Sequence, residues 1–106
     1  MVIKRILCGL LLIQTFTYAA PLERCFNLAS QTYGIPVDLL KAIAQTESKQ
    51  NAYAINMNNN KSYDIGIMQI NSSWLPKLSR IGISQVDLFD GCKNIQVGAW
   101  ILASNI

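Results

Sequence analysis

The N-terminal stretch of this chain has the composition of a segment that is removed rather than folded. Lys4 and Arg5 give it a basic start, residues 6–13 form an apolar run, and residues 17–19 place small side chains at the two positions that a signal peptidase reads. This order is typical of a secretory signal peptide, and the apolar run is too short to span a bilayer. We therefore expect a signal peptide over residues 1–19, export to the periplasm or beyond, and one folded domain over residues 20–106. A retained N-terminal anchor is the alternative.

The cysteines limit the fold further, because the mature chain would keep two of the three. Cys8 leaves with the signal peptide, and Leu7 before it is larger than the residue that a lipoprotein signal needs. Cys25 and Cys92 remain, and an even pair in an exported chain predicts a disulfide. This bond would close a loop of about 67 residues and stabilise the fold by roughly 3–4 kcal/mol. The chain has no histidine and no further cysteine at ligand spacing, so we expect no metal site.

The charge of the chain excludes one class of partner. The formal net charge is +3, and removal of Lys4 and Arg5 with the signal peptide lowers it to +1. That charge is too weak for a nucleic-acid surface, and no cluster of lysine and arginine compensates for it. We therefore expect no nucleic acid among its partners.

Apolar residues recur at helical spacing in several stretches of the mature chain. Residues 24–33 predict a first helix that ends at Gly34, and residues 36–48 predict a second helix that begins at Pro36. Asp90 can cap a last helix. The residues expected to face inward are Cys25, Leu28, Ala29 and Thr32 in the first helix and Ile95, Gly98, Ala99 and Leu102 in the last.

The middle of the chain differs from the helical stretches because it is polar and rich in asparagine. Residues 49–64 hold five asparagines, a composition typical of turns, so we expect a small irregular hairpin there. Short helical segments should follow over residues 71–79 and 84–88, with Gly82 between them. The sequence therefore predicts an α+β domain that is predominantly helical.

Glu47 is the carboxylate that most needs an explanation. It lies on the same face of the second predicted helix as Leu39, Leu40, Ile43 and Ala44, at the C-terminal end of this apolar stripe. Apolar neighbours disfavour an ionised carboxylate by desolvation, and the negative end of the helix dipole acts in the same direction. Both effects favour a protonated side chain near neutral pH, which suits a general acid. A solvated glutamate at a helix end is the alternative.

Two motifs at matching spacing point to a family. Glu47-Ser48 is followed by the run Asp64-Ile65-Gly66-Ile67-Met68-Gln69-Ile70-Asn71 and then by Trp74. This pair resembles the Glu-Ser and Gly-Leu-Met-Gln-Ile-Asn motifs of the lytic transglycosylases of the lysozyme superfamily. The resemblance covers about residues 24–102 and is strongest to the small specialised enzymes of secretion, conjugation and pilus systems. The further matching segments are Tyr33-Gly34-Ile35, Leu39-Leu40, Gly82-Ile83, Cys92-Lys93-Asn94-Ile95 and Gly98-Ala99.

The resemblance implies a lysozyme-like fold with the small hairpin beside an active-site cleft, and it implies a chemistry for Glu47. This residue would protonate the glycosidic oxygen between N-acetylmuramic acid and N-acetylglucosamine in peptidoglycan. It would then act as the base on the muramic C6 hydroxyl, which closes onto C1 to give a 1,6-anhydro product. The substrate's own N-acetyl group can assist at C1, so neither a protein nucleophile nor a cofactor is expected.

The resemblance also implies substrate-binding roles for three polar residues. Gln69 is expected to contact the acetamido group of the sugar, and Asn71 is expected to bind substrate beside it. Ser48 is expected either to support Glu47 or to contact the sugar. The alternatives are a turn amide for Gln69 and a helix-end hydroxyl for Ser48.

Asp64 is the ambiguous carboxylate. It follows Glu47 by 17 residues, and animal-type lysozymes share this separation and a similar Asp-x-Gly-Ile-x-Gln-Ile-Asn run. Many lytic transglycosylases lack a carboxylate here. Asp64 is therefore expected either to stabilise oxocarbenium-like charge or to let water compete, which would make the protein a hydrolytic muramidase. An aspartate that caps a loop is the remaining alternative.

The sequence departs from the family pattern at its C-terminal end. Relatives continue into an Ala-Tyr-Asn-Ala-Gly motif and a further helix, which supply a tyrosine and an asparagine to the site, whereas this sequence ends at Ile106. The lysozyme-like fold is therefore expected to be incomplete there. The leading expectation is local cleavage of peptidoglycan in the periplasm for a secretion, conjugation or pilus machine. A muramidase that uses Glu47 and Asp64, and an inactive glycan-binding or assembly remnant, are the alternatives.

Overall fold

A computed structural model describes residues 20–105; the expected signal peptide, with Cys8, lies outside these residues. The elements in chain order are α1 (Ala20–Tyr33), α2 (Val37–Ser48), β1 (Ile55–Met57), β2 (Tyr63–Ile65), β3 (Ile70–Asn71), a first 3₁₀ turn (Ser72–Trp74), α3 (Leu75–Arg80), a second 3₁₀ turn (Val86–Phe89) and α4 (Gly91–Ser104). The predicted α+β class, predominantly helical with a small sheet, is confirmed.

The first and last helices form the framework of the domain. They pack side by side through a fully buried core that includes Phe26, Ala29 and Ile95. A disulfide between Cys25 and Cys92 joins them, with their Cα atoms 5.2 Å apart. The predicted disulfide is thus confirmed, and it cross-links the two helices that hold the core together.

Periodicity located the buried faces of α1 and α2 only approximately. Leu28 and Leu39, which the helical spacing had placed inward, are 50% and 48% exposed, whereas Phe26 is 1% exposed. The inward arc of α1 is centred on Phe26 and Ala29, because that arc faces α4. In α2 the buried residues are Leu40 and Ala44, one turn apart. A helical repeat defines the width of an apolar stripe but leaves its centre uncertain by one residue.

The helix ends show why the chain turns where it does. The first helix begins at Ala20 rather than at residue 24, and the expected helix over 71–79 divides into a 3₁₀ turn and α3. Asn71 caps that turn by accepting a hydrogen bond from the Ser73 backbone N–H at 3.1 Å. Asp90 caps α4 by accepting from the Lys93 backbone N–H at 3.2 Å, as expected. Within residues 20–105, no helix is long and apolar enough to cross a membrane.

The predicted hairpin is present and carries a third strand. β1, β2 and β3 form an antiparallel sheet in that order. Asp64 in the central strand is paired with Asn56 on one side and with Asn71 on the other. Cross-strand partners project from the same face of a sheet. The sheet therefore presents a row of three polar side chains on one face, while Ile65 and Ile70 are buried on the other.

At Gly66, just after β2, the backbone passes very close to the Asn94 side chain of α4. Gly66 has a φ of +78°, and a Cβ added there would lie 2.2 Å from Asn94 Nδ2 and 2.4 Å from the Leu88 carbonyl oxygen. The fully buried Asn94 side chain donates to the carbonyl oxygens of Ile65 and Leu88 and accepts from the Met68 N–H, each at 2.9 Å. Only a glycine leaves room for this amide beneath the chain.

We predict that Gly66→Ala destabilises the domain by about 2–5 kcal/mol, because the positive φ costs about 1–2 kcal/mol and the clash with Asn94 adds about 1–3 kcal/mol. Gly82→Ala is the matched control, since Gly82 has a φ of +82° but no atom within 4 Å of an added Cβ. Gly82→Ala should lose only the backbone cost. Urea unfolding followed by circular dichroism measures both, and equal losses would show that Asn94 does not limit this position.

Candidate functional site

A groove of about 210 Å³ opens between α2, the end of the sheet and α4. Its lining residues are Ile43, Met68, Gln69, Ile70, Asn71, Trp74, Gly98, Ile101 and Leu102. A Cβ at Gly98 would lie 3.0 Å from Met68 Cβ, so the absence of a side chain lets Met68 pack directly against α4. The groove thus has an apolar floor and two amides, Gln69 and Asn71, which is the usual make-up of a ligand site.

Glu47 lies one helical turn beyond Ile43, the residue of α2 that lines the groove. Its side chain is exposed, and no hydrogen bond joins its carboxylate to another residue among 20–105. The expectation that apolar neighbours enclose Glu47 is therefore wrong for the described chain. The last buried residue of α2 is Ala44, and residues 45–47 after it are exposed. The last turn of the helix, which carries Glu47, thus lies outside the core.

Ser48 ties the end of α2 to the turn that borders the groove. Its hydroxyl donates to the carbonyl oxygen of Ile67 at 2.7 Å and also lies 3.2 Å from that of Ala44. Ser48 Oγ in turn accepts a hydrogen bond from the Asn51 N–H at 3.1 Å. The hydroxyl proton is thus used inside the protein. This geometry favours the interpretation that Ser48 supports Glu47, while a direct contact with a sugar stays a prediction.

Asp64 and Asn71 form a pair across the sheet. Asp64 Oδ1 accepts from Asn71 Nδ2 at 2.9 Å, and Asn71 Oδ1 is engaged by the Ser73 N–H at 3.1 Å. Asp64 lies within a strand, and in the described chain no backbone N–H donates to its carboxylate. The loop-capping alternative for Asp64 is therefore wrong. One Asp64 oxygen is held by an amide, and the side chain is half-buried beside the groove residue Asn71.

Gln69 is held more firmly than the sequence indicated. Its backbone is left-handed, with φ 56°. Its Nε2 donates to the carbonyl oxygens of Gly66 at 3.0 Å and Ala54 at 3.3 Å, and its Oε1 accepts from Asn56 Nδ2 at 2.8 Å. Sequence reasoning missed Asn56, because a strand asparagine looks no different from its turn-forming neighbours in an Asn-rich stretch. Only the strand register separates them.

Trp74 is the aromatic side chain that lines the groove. Trp74 meets Trp100 edge to face, with ring centres 5.8 Å apart. Lys77 Nζ lies 5.5 Å from the centre of the Trp74 ring, within range of a cation–π interaction. Trp74 therefore has a defined orientation where it borders the groove. The sequence contained Trp74 as part of a motif but gave no sign of its contact with Trp100.

The strongest shift in a pKa lies away from the groove. The Ser84 backbone N–H, which bonds the Asp87 carboxylate, lowers the pKa of Asp87 to about 2, and the Lys93 ammonium and the Ser84 hydroxyl act in the same direction. Asp87 in turn raises the pKa of Lys93. These bonds tie the second 3₁₀ turn to α4 and serve the fold. Among residues 20–105, no three His, Cys, Asp or Glu side chains lie close enough to hold a metal ion.

A second pocket, of about 310 Å³, is lined by Tyr33, Ile81, Ile83, Cys92, Lys93, Gln96, Val97 and Trp100. Although larger than the groove, it is lined by no carboxylate and by none of the predicted catalytic or substrate-binding residues. The smaller groove is the cavity that the predicted site residues line or adjoin, namely Glu47, Ser48, Asp64, Gln69 and Asn71.

Comparison with known proteins adds a family match to this geometry. A family model described as "Transglycosylase SLT domain" matches residues 24–106. The match begins next to Cys25 in α1 and includes every element from α2 to α4, and therefore every residue of the groove.

Individual relatives match over 79 or 80 residues. Protein IpgF of Shigella sonnei is 43% identical over 79 residues, which are 74% of this chain and 52% of that protein. The X polypeptide of Escherichia coli strain K12 is 42% identical over 80 residues, covering 74% and 47%. Invasion protein IagB of Salmonella typhimurium strain LT2 is 42% identical over 80 residues, covering 74% and 50%. The chain thus spans about half the length of the curated relatives it matches.

Proposed function

The chain belongs to the transglycosylase SLT domain family, and from that premise we propose that it cleaves peptidoglycan glycan strands as a lytic transglycosylase. The resemblance to the lytic transglycosylases, seen first in the paired motifs, is confirmed. The observation that carries the proposal is the Ser48–Ile67 hydrogen bond. It fixes the end of the Glu47 helix against the turn that lines the groove, as an acid beside a bound strand requires.

The proposed reaction uses Glu47 twice. As an acid, Glu47 gives its proton to the oxygen that joins C1 of N-acetylmuramic acid to C4 of N-acetylglucosamine, and the C1–O bond breaks. As a carboxylate, it then takes the proton from the C6 hydroxyl while O6 bonds to C1. Glu47 ends protonated, as it began, and no water is consumed. A glycan strand that fills the groove excludes water around Glu47. Attack by the C6 hydroxyl is then favoured over attack by water.

Asp64 would stabilise positive charge rather than transfer a proton. Positive charge develops at the sugar C1 when the glycosidic bond breaks, and a carboxylate held nearby stabilises it. Asn71 holds one Asp64 oxygen at 2.9 Å, so the side chain has a fixed orientation. If this carboxylate also admits an attacking water, the product is a reducing sugar and the protein is a hydrolytic muramidase. This second candidate is supported by the position of Asp64 in β2, where Asn71 holds its half-buried carboxylate beside the groove.

A third candidate is a glycan-binding or assembly protein without turnover. It is supported by the exposed Glu47 carboxylate, which has no hydrogen-bond partner among residues 20–105. For the enzymatic proposal, the role in the cell would be a local opening of the wall for a secretion, conjugation or pilus machine. The support is that one relative is named an invasion protein.

We predict that incubation of the chain with purified sacculi releases muropeptides with 1,6-anhydro ends, detected by mass spectrometry. Glu47→Gln keeps the size of the side chain but cannot transfer the proton, so release should fall by at least about 100-fold. Asp38→Asn, an exposed carboxylate in the first turn of the same helix, is the control and should keep full release. Reducing ends would indicate a muramidase, and binding of sacculi without release would indicate the assembly protein.

We predict that Asp64→Asn slows cleavage by about tenfold or more while the domain stays folded, because charge stabilisation is among the larger catalytic terms. The amide oxygen of the variant can still accept from Asn71, so the sheet should keep its melting temperature. The measurement is the initial rate of muropeptide release beside a thermal unfolding curve. An unchanged rate in the folded variant would remove Asp64 from the mechanism.

We propose that the protein acts in the periplasm or outside the cell, after cleavage near Ala20. Expression of the full sequence in a Gram-negative host, followed by intact-mass analysis of the periplasmic fraction, should show a chain that begins at or near Ala20. The mass should also be lower by two hydrogen atoms than that of the reduced chain, because of the Cys25–Cys92 disulfide. A retained N-terminus would refute export by signal cleavage.

A further inference from the structure

The side-chain amide of Gln69 can adopt only one orientation. Two of its three hydrogen-bond partners are backbone carbonyl oxygens, those of Gly66 and Ala54. Carbonyl oxygens only accept, so the nitrogen of Gln69 must face them and both of its protons are used. The oxygen of Gln69 must then face Asn56, whose Nδ2 donates to it at 2.8 Å. One lone pair of Gln69 Oε1 stays unused by these contacts.

Asn56 occupies a place from which it can control that oxygen. It lies in β1, directly across from Asp64 and on the polar face of the sheet. It is exposed, and the only hydrogen bond of its side chain within the described chain is the one to Gln69. Its neighbours Ile55 and Met57 project from the opposite face, 47% and 70% exposed. An exposed residue with a single, short contact to a groove residue contributes little to the core.

We propose that Asn56 is a positioning residue for the function proposed above, on which this inference rests. The Gly66 and Ala54 carbonyl oxygens take both donors of the amide, so Gln69 offers an acceptor, and no donor, to a ligand in the groove that it lines. By donating to Gln69 Oε1, Asn56 holds that acceptor in place. The ligand group that matches an acceptor is an N–H, and the acetamido N–H of an N-acetylated amino sugar supplies one. Gln69 thus contacts that group through its oxygen, and Asn56 positions this oxygen.

The residue type at position 56 follows from this role. Asn56→Ala removes the donor, so the Gln69 oxygen loses its hydrogen-bond partner among the described residues and the amide is held only through its nitrogen. Asn56→Asp places an ionised oxygen against the Gln69 oxygen and opposite Asp64, where like charges repel. At low pH a protonated aspartic acid regains a donor. The effect of Asn56→Asp should therefore depend on pH and that of Asn56→Ala should not, a difference that a loss of packing does not explain.

The test measures the Asn56–Gln69 contact and the binding of the sugar separately. Two-dimensional ¹⁵N spectra of the chain report the side-chain amide protons of Gln69, and titration with an N-acetylglucosamine tetramer gives the dissociation constant. Asn58→Ala is the matched control, because Asn58 lies just past the same strand and its amide bonds to Ser62 Oγ at 3.1 Å, within the hairpin. Thermal unfolding of every variant checks that the fold is kept.

Asn56→Ala should shift the Gln69 amide signals and weaken tetramer binding by about fivefold to tenfold, the range expected for one lost hydrogen bond. Asn56→Asp should weaken it further at pH 7 and recover at pH 3.5, relative to the unchanged protein at each pH. Asn58→Ala should change neither quantity.

Three results would overturn the proposal. The first is unchanged Gln69 signals in Asn56→Ala, which would mean that the contact does not fix the amide. The second is shifted signals with unchanged affinity, which would mean that the amide does not meet the sugar. The third is equal behaviour of Asn56→Ala and Asn56→Asp at both pH values. If the unchanged protein fails to bind the tetramer, the contact of Gln69 with the sugar is refuted as well. Muropeptide release from sacculi then still decides the proposed function, and the amide spectra still show whether Asn56 orients Gln69.

Discussion

The buried amide of Asn94 determines the arrangement of most of the residues around the groove. A polar side chain with 0% exposure must find partners inside the protein, and Asn94 finds them in three separate places along the chain. Ile65 ends the central strand, Met68 lines the groove, and Leu88 belongs to the second 3₁₀ turn. Since Asn94 lies on α4, which the disulfide fixes to α1, the sheet and the groove take their positions from the helical framework.

The segment from Asp64 to Asn71 is held from two sides as a result. Asn94 contacts it from α4, and Ser48 contacts it from the end of α2 through the Ile67 carbonyl oxygen. The acceptors and amides of the groove are thus preorganised before any ligand arrives, which lowers the cost of ordering them on binding. Glu47 differs, because in the described chain only its helix holds it. Under the proposed function, a bound glycan would provide the enclosure that α2 does not.

The sequence was informative where one residue type has one structural use. Glycine and asparagine at helix ends, the cysteine pair and the spacing of the two motifs predicted the helices, the disulfide and the candidate site residues. The sequence was uninformative where the outcome depends on which elements meet. The exposure of Leu28 and the burial of Phe26 follow from the direction in which α4 packs. Glu47 is exposed because the last turn of α2 lies beyond Ala44, the last residue of this helix that the core buries.

Longer-range partners were beyond prediction for the same reason. Asn94 and Gly66 are 28 residues apart in number, and neither residue type alone indicates a buried amide beneath a left-handed glycine. The polar row of the sheet depends on strand register, which a run of asparagines leaves undetermined. Local chemistry is therefore readable from the chain, whereas the partner of each polar group becomes clear only when the strands and helices are placed together.

The pairing of the two indoles gives the molecule a built-in optical probe. The chain has two tryptophans, and both belong to the edge-to-face pair formed by Trp74 and Trp100. Trp74 borders the groove and Trp100 borders the second pocket. All tryptophan emission therefore originates at one contact between the two cavities. A molecule that enters either cavity alters the polarity around this pair, so the intrinsic fluorescence of the unlabelled protein reports occupancy without any added dye.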